Sequence, residues 1–552
     1  GSVTDSPGNL YILGQIHWDS DWDQDEEPLC WQVTTENTMV LVAKISPEGE
    51  LVWKKMFANS GNGTFAYDIK PLGDTGFAVL FQDGPCNPYY HYRYWGDSLY
   101  RNIAHPLLVD APDTALGYKF YPGGFTVYMS FDFDGNITEQ HLLQLSYADT
   151  DGNSVITPPD SLHWMLFLVN STFDVDADGN IYICREANDW IPPYASYNGT
   201  LGAVRYWIDH HLVGESPIEN SPREWFPQLL KFSPHFDTLL ASRYVVQKSD
   251  TICDGIQLYM KIDRDTGIYL LFFNQMNPSS NNIVVDSIVG LSFSHAPRHA
   301  SSFLAIYDSQ LQAKGVVSLA DSVINPNLIH STSLLFHGID FDYDSNLFFI
   351  TATTNRSAEN DTSHFYSVLQ YNGTALNLKG GSFFMSFEKD TYPPVLHSYG
   401  RVPARFTSGM SGKKKTIGQK VICKKNRLFL QTSYIGGLKL PNRNIILPNG
   451  KTGMGLIIFD YKGQVIGGFD YNVDRNNRDE HPEIITIRDS VLYLINTIKG
   501  PAQFGEIQIP SRGNYYECIT KHVDTAFMAT YGENLNEVLE IKTSCRLAVY
   551  PN

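Results

Sequence analysis

The chain carries little charge, and most of that charge is of one sign. Only 18% of its 552 residues are Asp, Glu, Lys or Arg, and 59 acidic residues against 41 basic ones give a formal net charge of −18. Because such a protein would be repelled by a phosphate backbone, nucleic acid is not an expected partner. The sequence also lacks any run of about 18 consecutive apolar residues, so no membrane span is expected.

Cysteine is scarce, and the common catalytic motifs are missing. None of the seven cysteines forms a C-x-x-C pair, which argues against a zinc knuckle. No G-x-S-x-G, no H-E-x-x-H and no phosphate-binding glycine loop occurs. We therefore predict no catalytic residue, no metal site and no cofactor. Cys184, Cys253 and Cys423 lie among apolar residues and are expected to be buried thiols.

What the chain has in quantity is short strands separated by turns. It is 43% hydrophobic and 13% aromatic, a composition that suits pleated surfaces. A turn followed by an apolar strand recurs at 8–14, 75–81, 179–185, 266–272, 345–351, 426–432 and 490–496. In the clearest copies, at 171–180 and 337–346, a matching strand precedes the turn. Each copy is therefore interpreted as a hairpin of two strands, A and B.

A second hairpin, of strands C and D, alternates with the first. Its copies lie at 39–53, 125–140, 227–242, 302–317, 365–380, 455–469 and 525–539. Four strands per unit, repeated seven times, predict an all-β fold, a seven-bladed β-propeller with four antiparallel strands per blade, over residues 3–542. Unrelated hairpins in a sandwich would also give short strands, but the strict alternation argues against them.

The repeats also resemble a known family. "GNLYILG" (8–14) with "VLVAKISPEGELVW" (40–53), and "FGEIQIPSRG" (504–513) with "DTAFMATYG" (524–532), resemble the bacterial seven-bladed propeller repeat with its GNxYxxG…DxFVAKxDxxGxxxW pattern. The middle repeats keep the strand pattern but differ in wording. The resemblance implies the fold and says little about the ligand. The GH…WD signature of WD40 repeats is absent.

The end of the chain, "CRLAVYPN" (545–552), carries a second resemblance. It resembles the opening of the C-terminal sorting domain used by type IX secretion in Bacteroidetes, which implies export to the cell surface or beyond. Residues 543–552 would then be a linker or the start of a truncated sorting domain. Alternatively, 546–550 is a closing strand of blade 1, whose strand A is represented only by residues 3–5. No signal-peptide pattern is found in this sequence, and its absence is not taken as evidence for a cytoplasmic location.

The A–B and C–D turns are all short, but several of the other connections are long. The B–C connections 15–38, 83–122, 187–226, 275–300 and 498–523 are long, as are the D–A connections 144–170 and 384–418. In a propeller these two kinds of connection lie on the same face. We therefore predict that the long loops gather on one face, which is the usual arrangement of a binding side.

Three of these loops, on adjacent blades, are rich in aromatic residues. Rings offer a large contact area at low entropy cost and stack well on sugars or on apolar groups of a partner. The predicted ligand-binding residues are Trp18, Trp22, Tyr89, Tyr90, Tyr92, Tyr94, Trp95, Trp190, Tyr194 and Trp207. The alternative is that the loops bury these rings against each other as local cores.

Other candidate sites are weaker. Cys30 and Cys86 lie in B–C loops of adjacent blades and are candidates for a disulfide if the protein is exported, with two free thiols as the alternative. The run "DVDADGN" (174–180) is similar to a calcium loop, but its twelfth position is Arg185 and not an acidic residue, so a hairpin turn is predicted. Neither "DWDQDEE" (21–27) nor "IDHH" (208–211) is predicted to bind a metal.

Three functions follow as hypotheses. The favoured one is a secreted or cell-surface propeller, expected to be a monomer, that binds a glycan or a protein through the aromatic loop face and is not an enzyme. The second is an extracellular polysaccharide hydrolase or lyase with carboxylates at the mouth of the central channel, which sequence spacing cannot test. The third is a component of the secretion apparatus.

Overall fold

The computed structural model describes the backbone of about three fifths of the chain. The described residues are 1–17, 38–47, 51–58, 64–83, 125–149, 154–156, 169–188, 201–209, 211–217, 225–249, 253–263, 267–276, 282–285, 293–294, 301–319, 321–322, 333–355, 367–371, 374–378, 381–392, 394–402, 417–424, 426–435, 437–441, 444–446, 452–475, 484–488, 491–498, 502–504, 507–509, 525–531 and 538–542.

All regular structure in the described part of the chain is β-strand, which confirms the all-β prediction. The strands that build the first half are β1 (Ser2–Thr4), β2 (Leu10–His17), β3 (Thr38–Ile45), β4 (Leu51–Ala58), β5 (Thr64–Leu72), β6 (Gly76–Asp83), β7 (Phe125–Asp132), β8 (Ile137–Asp149), β9 (Ser154–Ile156), β10 (Val169–Val175), β11 (Ile181–Asn188), β12 (Leu201–Ile208), β13 (His211–Pro217), β14 (Trp225–Phe232), β15 (Leu239–Tyr244), β16 (Val246–Ser249), β17 (Cys253–Ile262), β18 (Ile268–Met276), β19 (Asn282–Val285) and β20 (Phe293–Ser294).

The second half continues in the same manner. Its strands are β21 (Ser301–Tyr307), β22 (Ala313–Leu319), β23 (Asp321–Ser322), β24 (Ser333–Asp342), β25 (Leu347–Asn355), β26 (Ser367–Tyr371), β27 (Thr374–Leu378), β28 (Gly381–Glu388), β29 (Leu396–Arg401), β30 (Ile417–Lys424), β31 (Arg427–Ile435), β32 (Gly437–Lys439), β33 (Asn444–Ile446), β34 (Thr452–Asp460), β35 (Val465–Arg475), β36 (Ile484–Arg488), β37 (Val491–Ile498), β38 (Ala502–Phe504), β39 (Ile507–Ile509), β40 (Thr525–Tyr531) and β41 (Val538–Lys542).

The described strands form a β-propeller with six blades and four antiparallel strands per blade. Strands A to D are β1–β4 in blade 1 and β5–β8 in blade 2. They are β10, β11, β14 and β15 in blade 3, and β17, β18, β21 and β22 in blade 4. They are β24, β25, β28 and β29 in blade 5, and β30, β31, β34 and β35 in blade 6. The predicted four-stranded repeat is confirmed. Strand β1 supplies strand A of blade 1 from the short segment that the sequence left doubtful.

A hydrophobic core lies at each junction between consecutive blades from blade 1 to blade 6. Between blades 1 and 2 it contains Tyr11, Val42, Phe77 and Met129, all buried. Four further clusters join blades 2 and 3, 3 and 4, 4 and 5, and 5 and 6. The sheets of blades 2 to 5 each bury both faces against their neighbours, which explains why their B and C strands are apolar almost throughout.

The count of six blades is one lower than the predicted seven. The last repeat does form a four-stranded antiparallel sheet, β36-β37-β40-β41. Its side chains lie outside the described residues, so no packed core can be assigned to it as one can to the other six sheets.

One predicted outer hairpin is wrong. Residues 365–380, assigned as strands C and D of the fifth repeat, form the hairpin β26–β27, which pairs with β23 and not with the blade. The C and D strands of blade 5 are β28 and β29, which lie mostly in the predicted D–A connection 384–418. Strand β28 buries Phe383, Phe384, Met385 and Phe387, so it lacks the alternation that marks a strand with one wet face.

The long connections contain strands of their own. Hairpin β12–β13, from the B–C connection of blade 3, pairs with the outer strand β8 and extends the sheet of blade 2. Strand β9 pairs with β8, and β38 pairs with β35. Strands β16, β19 and β20 form a small sheet. The sequence predicted these connections as loops because they lack the repeat pattern, but they are partly formed of strands. One of them joins two blades.

The strand registers place the long connections at one end of the blades. His17 pairs with Thr38, Asp83 with Phe125 and Asn188 with Trp225. These pairs flank the B–C connections of the first three blades, and the short A–B and C–D turns lie at the opposite end. Within the part of the chain that the structure describes, no helix is long and apolar enough to cross a membrane.

Candidate functional site

Charged side chains alternate in sign on the innermost strands of four consecutive blades. They are Lys70 on β5, Asp174 on β10, Lys261 on β17 and Asp340 on β24. The innermost strands of a propeller line its central channel, and their inner edge has no further strand to pair with. The N–H groups on that edge therefore need side-chain acceptors.

The two aspartates supply such acceptors. One oxygen of Asp174 accepts the N–H of Val175 at 3.0 Å, and the other accepts the N–H of Ile262 in blade 4 at 2.8 Å. An oxygen of Asp340 accepts the N–H of Cys423 in blade 6 at 2.8 Å. Each carboxylate thus connects the inner strands of two adjacent blades.

The two lysines are paired with carboxylates across the same surface. The Nζ of Lys70 lies 2.8 Å from Asp68, and Lys261 contacts Asp340. Burial would lower the pKa of each lysine, but the nearby carboxylates together outweigh that effect. They are Asp68, Asp174 and Asp340 for Lys70, and Asp340 and Asp174 for Lys261, so both pKa values are raised. The two side chains therefore remain protonated at neutral pH.

The carboxyl of Asp68 shows the same balance from the other side. Burial would raise its pKa, but the Lys70 ammonium, the ammonium of the first residue and the N–H of Ile69 together outweigh burial, and the pKa lies below its ordinary range. These side chains keep 15–35% of their surface accessible, as expected for groups that line a channel. Water can therefore reach them.

We call Lys70, Asp174, Lys261 and Asp340 the inner-strand cluster. This cluster is better suited to holding blades together than to acid–base chemistry. A general acid at neutral pH needs a carboxyl with a raised pKa. The described carboxyls with shifted pKa values, those of Asp68, Asp132, Asp237 and Asp308, all have them lowered. The described residues contain no group of three or more His, Cys, Asp or Glu residues placed to hold a metal ion.

At the face of the short turns, aspartates organise the hairpins. Asp176 accepts the N–H groups of Asp178 and Asn180 and the hydroxyl of Tyr182. The predicted hairpin turn at 174–180 is confirmed, and its carboxylate is used by the turn itself. Asp5 does the same with the hydroxyl of Tyr11.

The turns of neighbouring blades are also joined to each other. The Tyr11 hydroxyl lies 3.0 Å from the carbonyl oxygen of Phe133 in blade 2, and the Nζ of Lys389 lies 2.7 Å from Asp263 in blade 4. That ion pair is almost fully buried, with 2% and 1% of the two side chains exposed. Much of the polar hydrogen-bonding capacity of the turn face is therefore used within the molecule.

Of the predicted ligand-binding residues, Trp207 alone lies among the described residues. It is half-buried on β12, in register with Gln144 of β8 and Leu212 of β13. The others remain predictions that lie outside the described residues: Trp18, Trp22, Tyr89, Tyr90, Tyr92, Tyr94, Trp95, Trp190 and Tyr194.

The cysteine predictions have mixed outcomes. Cys184 is buried and free, as predicted, and burial raises the pKa of its thiol above the ordinary range. Cys423 is free but only half-buried, because it lies on the inner strand β30 beside Asp340. The Cys253 side chain and the proposed Cys30–Cys86 disulfide lie outside what the structure describes.

Sequence reasoning missed the inner-strand cluster because its members come from four repeats. A signal was present: in "FDVDAD" and "IDFDYD" an aspartate lies two residues before the aspartate of the turn. One aspartate of each pair is the turn aspartate, which the hairpin turn itself uses. The other member, Asp174 or Asp340, occupies a strand position at which an apolar residue would be the ordinary choice, and only a contact to another blade accounts for it.

Comparison with known proteins adds little to this geometry. No protein-family model matches the chain, and no curated protein matches it. A solved structure described as a glycoside hydrolase is 10% identical to this chain, with a TM-score of 0.22. The match covers 59% of this chain and 82% of the other chain. A structure described as NanB plus Optactamide is 9% identical, covers 96% of this chain and 81% of its own, and has a TM-score of 0.24.

Proposed function

We propose that this β-propeller is a binding protein without catalytic activity, which recognises a glycan or a protein ligand on the face where its long connections begin and end. The observation that carries the proposal is what the inner-strand carboxylates bind. Asp174 and Asp340 each accept a main-chain N–H of the next blade at 2.8 Å, so they are committed to holding blades together.

The choice of face is supported by the contrast between the two ends of the blades. On the turn face, turn aspartates are hydrogen-bonded to their own turns, and Asp263 is paired with Lys389. The other end carries the connections 18–37, 84–124 and 189–200, in which nine of the ten predicted aromatic ligand-binding residues lie. Rings interleaved with polar residues are typical of contact surfaces.

A hydrolase or lyase remains the second candidate, because Asp68, Asp174 and Asp340 do bring three carboxylates from three blades to the channel. The two functions differ in what they require of these groups. Catalysis needs at least one carboxyl that exchanges protons with a substrate, whereas a binding protein can keep all three ionised and hydrogen-bonded.

The test uses the full chain, a glycan array and a panel of soluble polysaccharides. We expect the protein to capture a glycan on the array, or a protein in a pull-down. We expect it to shorten none of the polysaccharides. Trp95→Ala should abolish capture, whereas Asp340→Asn should leave it intact. Shortening of a polysaccharide that is lost in folded Asp340→Asn or Asp174→Asn protein would instead establish the enzyme.

We also propose that β36, β37, β40 and β41 form a seventh blade that closes the ring. In support, β36 contacts β30, the inner strand of blade 6, and β1, the inner strand of blade 1. A strand that touches both ends of the row of blades is in the position that closure requires. Averaged electron micrographs viewed down the channel should show seven lobes, and six lobes would refute the proposal.

The export hypothesis rests on the sequence "CRLAVYPN" (545–552), which lies outside the described residues. We propose a location at the outer cell surface or in the medium. Fractionation of the native cells with an antibody against the propeller tests it, and a purely cytoplasmic signal would reject it.

A further inference from the structure

All three exposed tyrosines of the described chain lie in blade 5. Tyr343, Tyr392 and Tyr399 have 36%, 45% and 41% of their surface exposed. The other exposed large apolar residues in the described part of the chain are aliphatic, and all but Val395 come from other blades. Among the described residues, exposed aromatic surface is therefore concentrated in blade 5, whereas most of the aromatic residues predicted from the sequence to bind a ligand lie outside them.

The three tyrosines lie along the junction between blades 4 and 5. Tyr399 pairs with Met385, which is buried in the core shared by these two blades, so both side chains point toward blade 4. The neighbouring Ser398 points the other way and bonds to the carbonyl oxygen of Tyr461 in blade 6. Tyr399 thus lies at the outer rim of the junction between blades 4 and 5.

Tyr392, in the C–D turn of blade 5, packs against the outer strand of blade 4. A Cβ atom placed on Gly315 of β22 would lie 3.4 Å from the Tyr392 ring. That distance is ordinary van der Waals contact, so one side of the ring lies against the strand while nearly half of its surface stays exposed. Tyr343 is supported in a similar way, because the Nζ of Lys389 lies 5.0 Å from the centre of its ring.

The lysines beside these rings are already paired. Lys389 is bound to Asp263, and Lys314 lies 2.9 Å from Asp308. The exposed carboxylates Glu388 and Asp390 flank Lys389 in the sequence. The surface therefore offers supported ring faces and hydrogen-bonding groups, and its paired lysines and exposed carboxylates do not favour an anionic ligand. The described part of blade 4 contributes no exposed large apolar residue, so the apolar core typical of a protein interface is missing on that side.

We infer that Tyr343, Tyr392 and Tyr399 form a binding groove for an uncharged glycan chain, which we call the tyrosine groove. The C–H faces of sugar rings would stack on the phenol rings, and sugar hydroxyls would exchange hydrogen bonds with Lys314, Asp308 and His397 at its edges. The groove is separate from the proposed ligand site at the long connections, and neither site depends on the other.

The test is affinity electrophoresis of the full chain in gels that contain xylan, a mixed-linkage β-glucan, starch or α-mannan. We expect at least one of these polysaccharides to retard the wild-type protein. Tyr392→Ala and Tyr399→Ala should each weaken the retardation at least tenfold, and Tyr392→Phe should keep most of it, since Phe retains the ring. Ile466→Ala removes a residue exposed to the same extent on blade 6 and should change nothing.

Melting curves show whether each variant is folded. The Tyr392→Phe variant, which removes only a hydroxyl, keeps the comparison usable if an alanine variant unfolds. Absence of retardation by all four polysaccharides would overturn the inference, as would retardation that survives in folded Tyr392→Ala and Tyr399→Ala proteins. Retardation lost in Trp95→Ala but not in the tyrosine variants would place binding at the long connections and would equally overturn it.

Discussion

The buried ion pair between Lys389 and Asp263 gives a quantitative test of how blades 4 and 5 are joined. The two side chains are 2.7 Å apart, and 2% and 1% of them are exposed. Within the described part of the chain, the second oxygen of Asp263 has no hydrogen-bond partner. In Lys389→Met the ammonium is lost, and Asp263 is left as a buried carboxylate without its counter-ion.

We expect this substitution to lower the free energy of unfolding by about 3–5 kcal/mol at pH 7, the usual cost of removing one partner of a buried pair. Replacing both residues, in Lys389→Met with Asp263→Leu, should recover most of the loss, because no uncompensated charge remains. The matched control is Lys314→Met. The Lys314–Asp308 pair has a similar length but is exposed, so no measurable loss is expected there.

In urea titrations, a deficit under about 1 kcal/mol at pH 7, or one no larger than that of Lys314→Met, would refute the role given to this pair.

Three further predictions concern other parts of the molecule. Asp174→Ala should cost about 1.5–3 kcal/mol in urea titrations, because it removes a charged acceptor that joins blades 3 and 4, whereas Asp178→Ala in the neighbouring turn should cost much less; equal losses would argue against the inter-blade role. For Tyr92→Ala, a loss of about 3–5 kcal/mol would indicate a buried loop core, and a change of about 0.5 kcal/mol or less would indicate an exposed ring, which is the result we expect. Thiol titration of unfolded, unreduced protein should find five free thiols if Cys30 and Cys86 are joined, and seven would exclude the bond.

Much of the fold followed from local pattern. Hairpin turns depend on residues a few positions apart, such as Asp176 with Asn180, so the sequence carries their signal directly. The alternation of inner and outer hairpins then predicted four-stranded blades. The pattern failed at 365–380, because Asn372-Gly373 does specify a hairpin but nothing local says which sheet the hairpin will join.

The sequence by itself therefore determined the all-β class, most of the strands and the four-stranded repeat, because these depend on alternation and turn chemistry within about ten residues. Tertiary structure alone decided which side chains meet across blades. Asp174 and Ile262 are 88 residues apart in the chain, and their hydrogen bond exists because two inner strands are neighbours in the ring. The tyrosine groove has the same origin. Tyr392 is exposed on one side and supported on the other because Gly315 of the preceding blade lies beside it, and no spacing along the chain encodes that contact.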